Sequence, residues 1–226
     1  MTRLSARTIA RSAALSSRNA PQVTIHLRKM YVDCRFGQLH LHTAFPSSGG
    51  FDELTPLVCV PPLAKSGRVF RPLLKDLGRD RSAYAPDLPG CGESDAPHQP
   101  AEVADQAAAV LDLLDSLRLR QVDVLGYQGG SLAAIELAIA RPEQVRRVVL
   151  LGVPASDASF QTGERLPLLR QPVLVLRPRD ENWESTSRTE GLIRDARRID
   201  LPNAGANVIE AATEELSGHL RDFLDR

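Results

Sequence analysis

The sequence predicts an α/β fold, a mostly parallel sheet of about eight strands with helices on both faces. Two observations lead to this class. Short, continuously apolar runs alternate with longer runs of helical periodicity after residue 30. Glycine and proline gather where the apolar runs end, as tight turns require. Such alternation builds parallel strands joined by right-handed helical crossovers.

The first half of the domain is predicted to hold a hairpin, two buried strands and a helix. The hairpin joins "MYVDCRF" to "QLHLHTAF" at Gly37. The buried strands are "PLVCVPP" and "SAYAPDLPG", because parallel strands covered on both faces are apolar throughout. The helix between them is "RVFRPLLKDL", which has apolar residues at helical spacing and stops at Gly78.

Beyond residue 100, strands and helices continue to alternate. A helix over "AEVADQAAAVLDLLDSLRL" is predicted because its apolar residues form one stripe. The following strands are "QVDVLGY", "VRRVVLLGVP", "PVLVLRPRD" and "ARRIDLPNAG". A helix over "SLAAIELAIA" comes after the first of them, and a helix over "AATEELSGHLRDFLDR" closes the chain.

Length and composition favour a single globular domain over residues 30–226, preceded by a tail over residues 1–29. The 226 residues are 42% hydrophobic and 25% charged, which is sufficient for one well-buried core. Arginine and serine are abundant in the tail, so it is expected to be disordered or to act as a targeting segment. A true translation start at Met30 is the remaining interpretation.

Charge, cysteine spacing and hydropathy argue against several classes of protein. The 28 basic and 28 acidic residues balance to a net charge of zero, so no nucleic-acid partner is expected. Cys34, Cys59 and Cys91 lack CxxC spacing, which favours a reduced, cytoplasmic compartment over a disulfide framework or a zinc site. Targeting to an organelle through the tail is the alternative. No apolar run reaches the length of a membrane span.

A sharp strand-to-helix turn is predicted at "GYQGG", residues 126–130. A strand that enters a helix through G-x-nucleophile-x-G exposes its central side chain at the top of the sheet. The N-terminus of the helix then presents backbone N–H groups to a developing oxyanion. The central residue of this turn is Gln128, whose neutral amide is a very poor nucleophile.

Ordered blocks around this turn make the chain resemble the α/β-hydrolase superfamily over residues 31–226. The blocks are "APDLPGCGESDAP", "ELAIARPEQVRRVVLLGVP", "PVLVLRPRDENWEST" and "LPNAGANVIEAATEELSGHLRDFL". The resemblance implies the α/β-hydrolase fold. It also implies a Ser-His-acid triad, with the serine at the elbow, the acid after the seventh strand and the histidine before the last helix. It implies no cofactor.

The chain departs from this family at the positions that carry the chemistry. Gln128 stands at the nucleophile position, and Ala206 follows Gly205 where the family has histidine. The acid position falls on Glu181 with Asp180 beside it, and the sequence leaves both open. Loss of the nucleophile or the base typically lowers turnover on the order of a million-fold, so serine hydrolysis is not expected.

The oxyanion loop and the cap also differ from the family pattern. The usual His-Gly is replaced by Pro61 and Pro62, which supply no backbone N–H. Leu63 and Gly129 are therefore the expected N–H donors. The connection over residues 155–171 is short, so a minimal or absent cap and a shallow or open pocket are predicted.

Several other side chains are candidates for ligand contact or invite a metal assignment. Tyr127 is expected to form a wall of the pocket entrance, and Cys91 to lie near its mouth as an inert thiol. Trp183 follows the acid turn and is expected to pack locally. His40 and His42 share one face of a strand. No third ligand is evident, so a structural or exposed pair is predicted and no metal site.

Two functions fit these departures. In the first, the chain is a pseudoenzyme with a degenerate triad that binds a small apolar ligand, a protein partner or a second copy of itself. In the second, it is a lyase, isomerase or unusual hydrolase that acts on a small apolar substrate without a serine nucleophile. Gln128 either holds a ligand through its amide or merely fills the vacated nucleophile position.

Overall fold

Eight strands form one sheet in the computed structural model, which describes residues 25–46, 53–155 and 161–226. In chain order the strands are β1 (Ile25–Cys34), β2 (Gly37–Pro46), β3 (Leu54–Val60), β4 (Arg81–Pro86), β5 (Val122–Tyr127), β6 (Val145–Leu151), β7 (Val173–Pro178) and β8 (Ala196–Leu201). Their spatial order is β1-β2-β4-β3-β5-β6-β7-β8. The pairings of β1 with β2 and of β2 with β4 are antiparallel, and all later pairings are parallel. The predicted sheet is confirmed.

Helices cover both faces of this sheet, as predicted. In chain order they are α1 (Arg71–Leu77), α2 (Val103–Ser116), α3 (Gly130–Ala140), α4 (Thr162–Arg165), α5 (Trp183–Thr189), α6 (Val208–Ala211) and α7 (Thr213–Leu224). Helices α2 and α3 share a core with one face of the sheet, and α1, α6 and α7 share a core with the other. None of the helices in the described residues is long and apolar enough to cross a membrane.

Strand β5 illustrates why the central strands are mostly apolar. Val122 and Val124 point into the core that contains α2 and α3, whereas Leu125 and Tyr127 point into the opposite core. Because successive side chains of a strand alternate between the faces, a strand covered on both sides needs apolar residues on both faces, and the one charged residue of β5, Asp123, is paired with Arg146. The same burial fixes the orientation of Tyr127, the last residue of β5, just before the turn that follows.

Local signals in the sequence set the ends of the helices. The capping box at the start of α2 forms between Glu102 and Asp105. Helix α1 ends at Gly78 as predicted, but the reason is close packing, since the φ angle there is −64°. A Cβ at this glycine would lie 2.6 Å from the Cβ of Ala44 and 2.7 Å from the carbonyl oxygen of Leu74.

The first strand begins earlier than the sequence predicts. Strand β1 starts at Ile25, which pairs with Pro46, so the predicted boundary between tail and domain at residue 29 falls inside a strand. The segment His26–Lys29 escaped prediction because its side chains are exposed on an edge strand, where burial does not enforce an apolar pattern. Residues 1–24 of the predicted tail lie outside the described residues.

The connection between β6 and β7 holds little structure among its described residues. Helix α4 has a single turn and leads directly into a 3-10 helix over Leu166–Leu168. Residues 156–160 lie outside the described part of the chain. The described part of the connection is consistent with the predicted minimal cap.

Candidate functional site

The turn between β5 and α3 has the backbone of a nucleophile elbow. Gln128 adopts a φ angle of +47°, in the left-handed region that non-glycine residues rarely occupy. Its backbone N–H donates to the carbonyl oxygen of Leu151 at 2.7 Å, which ties the turn to β6. A Cβ at Gly126 would lie 2.5 Å from the Cα of Ser131, so the helix and the strand approach as closely as this turn requires. The sequence signature and the turn therefore agree.

The side chain of Gln128 reaches the turn after β7, where the two candidate acids lie. Its amide Nε2 donates to Oε1 of Glu181 at 2.9 Å. The two carboxylates that the sequence could not separate therefore differ in their surroundings. Glu181 accepts the amide hydrogen bond of Gln128, and Asp180 lies deeper in the protein.

Asp180 is half-buried behind the elbow. Its Oδ1 accepts a hydrogen bond from the backbone N–H of Asn182 at 2.9 Å, whereas its Oδ2 is buried and has no hydrogen-bond partner among the described residues. Burial raises the pKa of the Asp180 carboxyl, although the backbone N–H of Asn182 and the nearby Gln128 side chain oppose this shift. A carboxyl with one unpartnered oxygen is a chemically unusual group to find next to Gln128.

Tyr127 forms a wall of the site and holds the loop after β8 in place. The residue is only 5% exposed, and its hydroxyl donates to the backbone carbonyl of Ala206. Burial, reinforced by the charges of Asp180 and Glu181, raises the pKa of Tyr127 to about 12. The tyrosine is therefore a neutral hydrogen-bond donor at physiological pH, and its hydroxyl is already used by the loop.

Gln128 and Ala206 line one cavity of about 220 Å³, which opens beside the elbow. The other lining residues are Pro62, Lys65, Val69, Tyr127, Asn207, Ile209 and Glu210. Apolar side chains supply part of this wall, and an ammonium, an amide and a carboxylate supply the rest. No histidine lines this cavity among the residues that the structure describes. Gln128 and Ala206, the residues that the sequence analysis predicts at the nucleophile and base positions, thus line the same space.

Leu63 and Gly129 meet at the mouth of the elbow. A Cβ at Gly129 would lie closer than 3.0 Å to Cγ of Leu63, and neither residue is in the wall of the elbow cavity. Among the described residues, neither backbone N–H donates to a protein acceptor. Two uncommitted N–H groups beside the N-terminus of α3 are the elements of an oxyanion-binding site.

A larger cavity of about 480 Å³ lies on the other side of Glu181. It is formed between the β6–β7 connection and α5, with Leu166, Ser185 and Arg188 in its wall. Glu181 thus lines this space while it accepts the hydrogen bond from Gln128. A ligand in this larger cavity would contact the same carboxylate from the opposite side.

Two other predicted contact residues lie away from the elbow cavity. Cys91 is half-buried against the core that contains α2 and α3, and burial raises the pKa of its thiol. Trp183 begins α5 with the Arg177 guanidinium 3.7 Å above its ring centre and the Arg179 guanidinium at 5.6 Å. The tryptophan packs locally, as expected. Neither residue is in the wall of the elbow cavity, because core packing and cation–π contacts hold them elsewhere.

The structure places a third candidate ligand, which the sequence did not show, beside His40 and His42. Both histidines are buried, and Asp87 at the exit of β4 lies beside them. Nδ1 of His40 is 2.9 Å from Oδ2 of Asp87, and Nε2 of His42 is 3.3 Å from the hydroxyl of Ser66. Sequence reasoning missed this cluster because Asp87 belongs to a distant segment that only the pairing of β2 with β4 brings near.

The sheet order, the left-handed elbow and the acid-bearing turn after β7 define a protein of the α/β-hydrolase class. Residues 55–174, more than half of the chain, match the family model described as alpha/beta hydrolase fold. The chain belongs to this family. The resemblance inferred from the sequence blocks is confirmed.

Similar proteins in this class include enzymes of known activity. The chain is 35% identical over 98 residues to a 2-hydroxy-6-oxo-2,4-heptadienoate hydrolase of Pseudomonas putida, a match that covers 43% of this chain and 35% of that enzyme. It is 37% identical over 101 residues to a 2-hydroxymuconate semialdehyde hydrolase of a Pseudomonas species, covering 43% and 34%. The chain thus spans about a third of the length of these curated relatives.

Solved structures extend the likeness of fold to nearly the whole chain. The enol-lactonase from Burkholderia xenovorans LB400 superposes with a TM-score of 0.79 at 17% sequence identity. The match covers 87% of this chain and 100% of that structure. At this identity the likeness is one of fold alone.

Proposed function

We propose that the protein binds a small molecule in the elbow cavity and does not hydrolyse it by a Ser-His-acid mechanism. The observation that carries this proposal is the hydrogen bond from the Gln128 amide to Glu181. In a hydrolytic triad a histidine stands between nucleophile and acid and moves the proton. In this protein the elbow side chain contacts the carboxylate directly. No group among the described residues stands between them in the place of that base.

The chemistry of the residues in the cavity supports the absence of serine hydrolysis. A carboxamide is neutral near pH 7 and cannot be deprotonated to form a nucleophile. Ala206 offers only a methyl group at the position where the family has histidine. Removal of these groups typically costs on the order of a million-fold in turnover, and the oxyanion site alone retains roughly a thousand-fold over water.

The wall of the cavity indicates the class of ligand. The N–H groups of Leu63 and Gly129, which lie beside the elbow and not in the wall itself, suit an oxygen of a carbonyl or carboxylate group, and Lys65 lies in the wall. Val69 and Ile209 suit a short apolar body. We therefore assign a small, acyl- or carboxylate-bearing ligand, in place of the purely apolar ligand predicted from sequence. The similarity to a 2-hydroxy-6-oxo-2,4-heptadienoate hydrolase supports a compound of this class.

A reconstruction of the triad tests the hydrolytic part of this proposal. The native chain is expected to resist labelling by a fluorophosphonate probe and to show no ester turnover above background. The variant Gln128→Ser/Ala206→His supplies both missing groups in the shared cavity, and slow labelling is expected only there. The single variants Gln128→Ser and Ala206→His are the controls. Turnover by the native chain that Gln128→Ala abolishes would overturn the proposal.

A binding experiment tests the other part. Small carboxylates and their methyl esters of increasing chain length would be screened by thermal shift against the native chain. Binding is expected for members that place an oxygen at the Leu63–Gly129 N–H pair, and Lys65→Met is expected to weaken the carboxylates more than the esters. Equal loss for both series would contradict the assigned ligand class.

Asp180 favours a second candidate function, catalysis without a serine nucleophile. Its buried Oδ2 has no partner and its raised pKa suits a group that accepts and returns a proton. A lyase, isomerase or unusual hydrolase is consistent with such a carboxyl beside the elbow. A turnover screen on the same compounds tests this, with Asp180→Asn expected to abolish activity and Glu184→Gln, on α5, expected to spare it. A saturating screen without turnover would exclude this candidate.

A further inference from the structure

The cluster of His40, His42 and Asp87 is separate from the elbow and has no part in the function proposed above. The two histidines are two residues apart along β2, so their side chains face the same side of the sheet. Antiparallel pairing of Leu41 with Pro86 brings the next residue, Asp87, to both of them. One donor atom from each of the three side chains lies within 4.8 Å of the others, and all three residues are buried.

The separations of the donor atoms match those around a tetrahedral metal ion. Nδ1 of His40 lies 2.9 Å from Oδ2 of Asp87, and Nε2 of His42 lies 3.7 Å from Oδ1. Zinc bonds of about 2.0–2.1 Å place neighbouring ligand atoms roughly 3.3–3.4 Å apart. The two observed distances, which go to different oxygens of Asp87, bracket this value, and the donor atoms of all three residues lie within 4.8 Å of one another.

The far ring nitrogen of His40, Nε2, provides the second observation. When Nδ1 carries the proton and donates to Asp87, Nε2 presents a lone pair. That nitrogen is buried without a hydrogen-bond partner, and Oε2 of Glu93 lies 3.9 Å away. Two acceptors then face each other. A metal on Nδ1 moves the ring proton to Nε2, where it points to the Glu93 carboxylate. Metal-binding histidines commonly have such a carboxylate on the far nitrogen.

The surroundings of the cluster also suit a bound ion. Asp87 accepts hydrogen bonds from the backbone N–H groups of Gly67 and Glu93, at 2.7 and 2.9 Å, which fix the orientation of its carboxylate. His42 and Asp87 line a cavity of about 410 Å³, together with Arg68 and Arg71. These arginines favour an anion next to the metal. An anionic fourth ligand would also offset their repulsion of the cation.

We propose that His40, His42 and Asp87 bind a divalent transition-metal ion such as zinc, with an open coordination position toward this cavity. Two imidazoles and one carboxylate are a donor set that zinc and its neighbours in the first transition series accept. The open position accommodates water or a small anion. Glu93 acts as a positioning residue through His40.

Metal titration of the full chain tests this site. Protein dialysed against a chelator would be titrated with Co²⁺ and then Zn²⁺, in competition with a chromophoric chelator. The expected result is one tight site per chain, with the visible absorption of tetrahedral cobalt, which zinc displaces. His42→Ala is expected to lose this absorption. The control is His219→Ala, whose imidazole has a carboxylate only at 4.0 Å, and it is expected to bind as the native chain does.

A milder variant keeps the test decisive if His42→Ala does not fold. Glu93 is half-exposed, and Glu93→Gln is expected to fold normally and to weaken metal binding about 10–100-fold by removing the acceptor of the His40 proton. Absence of a stoichiometric site would overturn the proposal. Equal weakening by His219→Ala and His42→Ala, or no weakening by Glu93→Gln, would also overturn it.

Discussion

The backbone of the elbow can be tested through two substitutions at Gln128. The residue holds a φ angle of +47°, and its side-chain amide donates a hydrogen bond to Glu181. Gln128→Ala removes the hydrogen bond and keeps a Cβ in the left-handed region. Gln128→Gly removes the same hydrogen bond and also removes the Cβ. The difference in unfolding free energy between the two variants therefore reports on the backbone at this position, because the lost side-chain contact is common to both.

The magnitude follows from opposing contributions. A Cβ in the left-handed region costs about 1–2 kcal/mol, which the glycine variant does not incur. Glycine in turn gives the unfolded chain more freedom, which costs about 0.5–1 kcal/mol of folding free energy. Gln128→Gly is therefore expected to be more stable than Gln128→Ala by about 0.5–1 kcal/mol. Both variants lack the hydrogen bond from Gln128 to Glu181, which contributes about 1 kcal/mol to the stability of the native chain.

Urea unfolding of the two variants measures this difference, provided that their m-values agree. Ala212 offers a matched control, since its φ angle of −132° suits any residue. Ala212→Gly is expected to destabilise the chain, so glycine has opposite effects at the two positions. If Gln128→Ala proved as stable as Gln128→Gly, the turn would not be left-handed, and the elbow inferred for this protein would be refuted.

Three other substitutions test packing and charges at the elbow and elsewhere in the sheet. Gly130→Ala is expected to destabilise the fold by about 2–3 kcal/mol in urea, because a Cβ would lie closer than 3.0 Å to two carbonyl oxygens at the exit of β3. Arg146→Ala is expected to cost about 3 kcal/mol, since it removes the guanidinium at 2.6 and 2.9 Å from the fully buried Asp123 and leaves only that of Arg81 at 3.9 Å; Arg141→Ala, on an exposed pair, should cost little. The folded pKa of Asp180 is raised, so its contribution to stability is present at low pH and is lost as the pH rises above its ordinary value of 3.8. Asp180→Asn should therefore gain stability relative to the native chain as the pH rises from 4, and a constant difference across that range would contradict the raised pKa.

The sequence predicts the framework well because the framework is encoded locally. Continuous apolar runs identify the buried parallel strands, and the glycines of "GYQGG" identify the elbow before any contact is known. Helix α5 was not predicted because it lacks such a local pattern. Its segment "WESTSRT" has no apolar stripe, and it is held instead by the hydroxyl groups of Ser185 and Thr186, which donate to the carbonyl oxygen of Val153. Polar tertiary contacts of this kind leave no periodic pattern.

The site was harder to predict than the fold because its contacts are not local. The sequence places Gln128 at the elbow, but only the folded chain shows that its amide reaches Glu181 and that Asp180 is the more buried acid. The pairing of His40 with Asp87 likewise depends on the register of β2 against β4. Residue types and spacing therefore identify candidate groups, and tertiary register decides which of them meet.

The identity of the residue at the elbow bears directly on the choice between a ligand-binding role and mere packing. Packing alone requires small residues at Gly126 and Gly130, where a Cβ would collide with the neighbouring backbone. It does not require a side chain at residue 128, where glycine would remove the strain of a positive φ angle. A strained glutamine is therefore easier to explain if its amide has a use.

The amide nitrogen is bound to Glu181, which leaves the amide oxygen to accept a hydrogen bond from a ligand in the cavity that it lines. A ligand with both an acceptor oxygen for the Leu63 and Gly129 N–H groups and a donor for this amide oxygen should therefore bind more tightly than one with the acceptor alone.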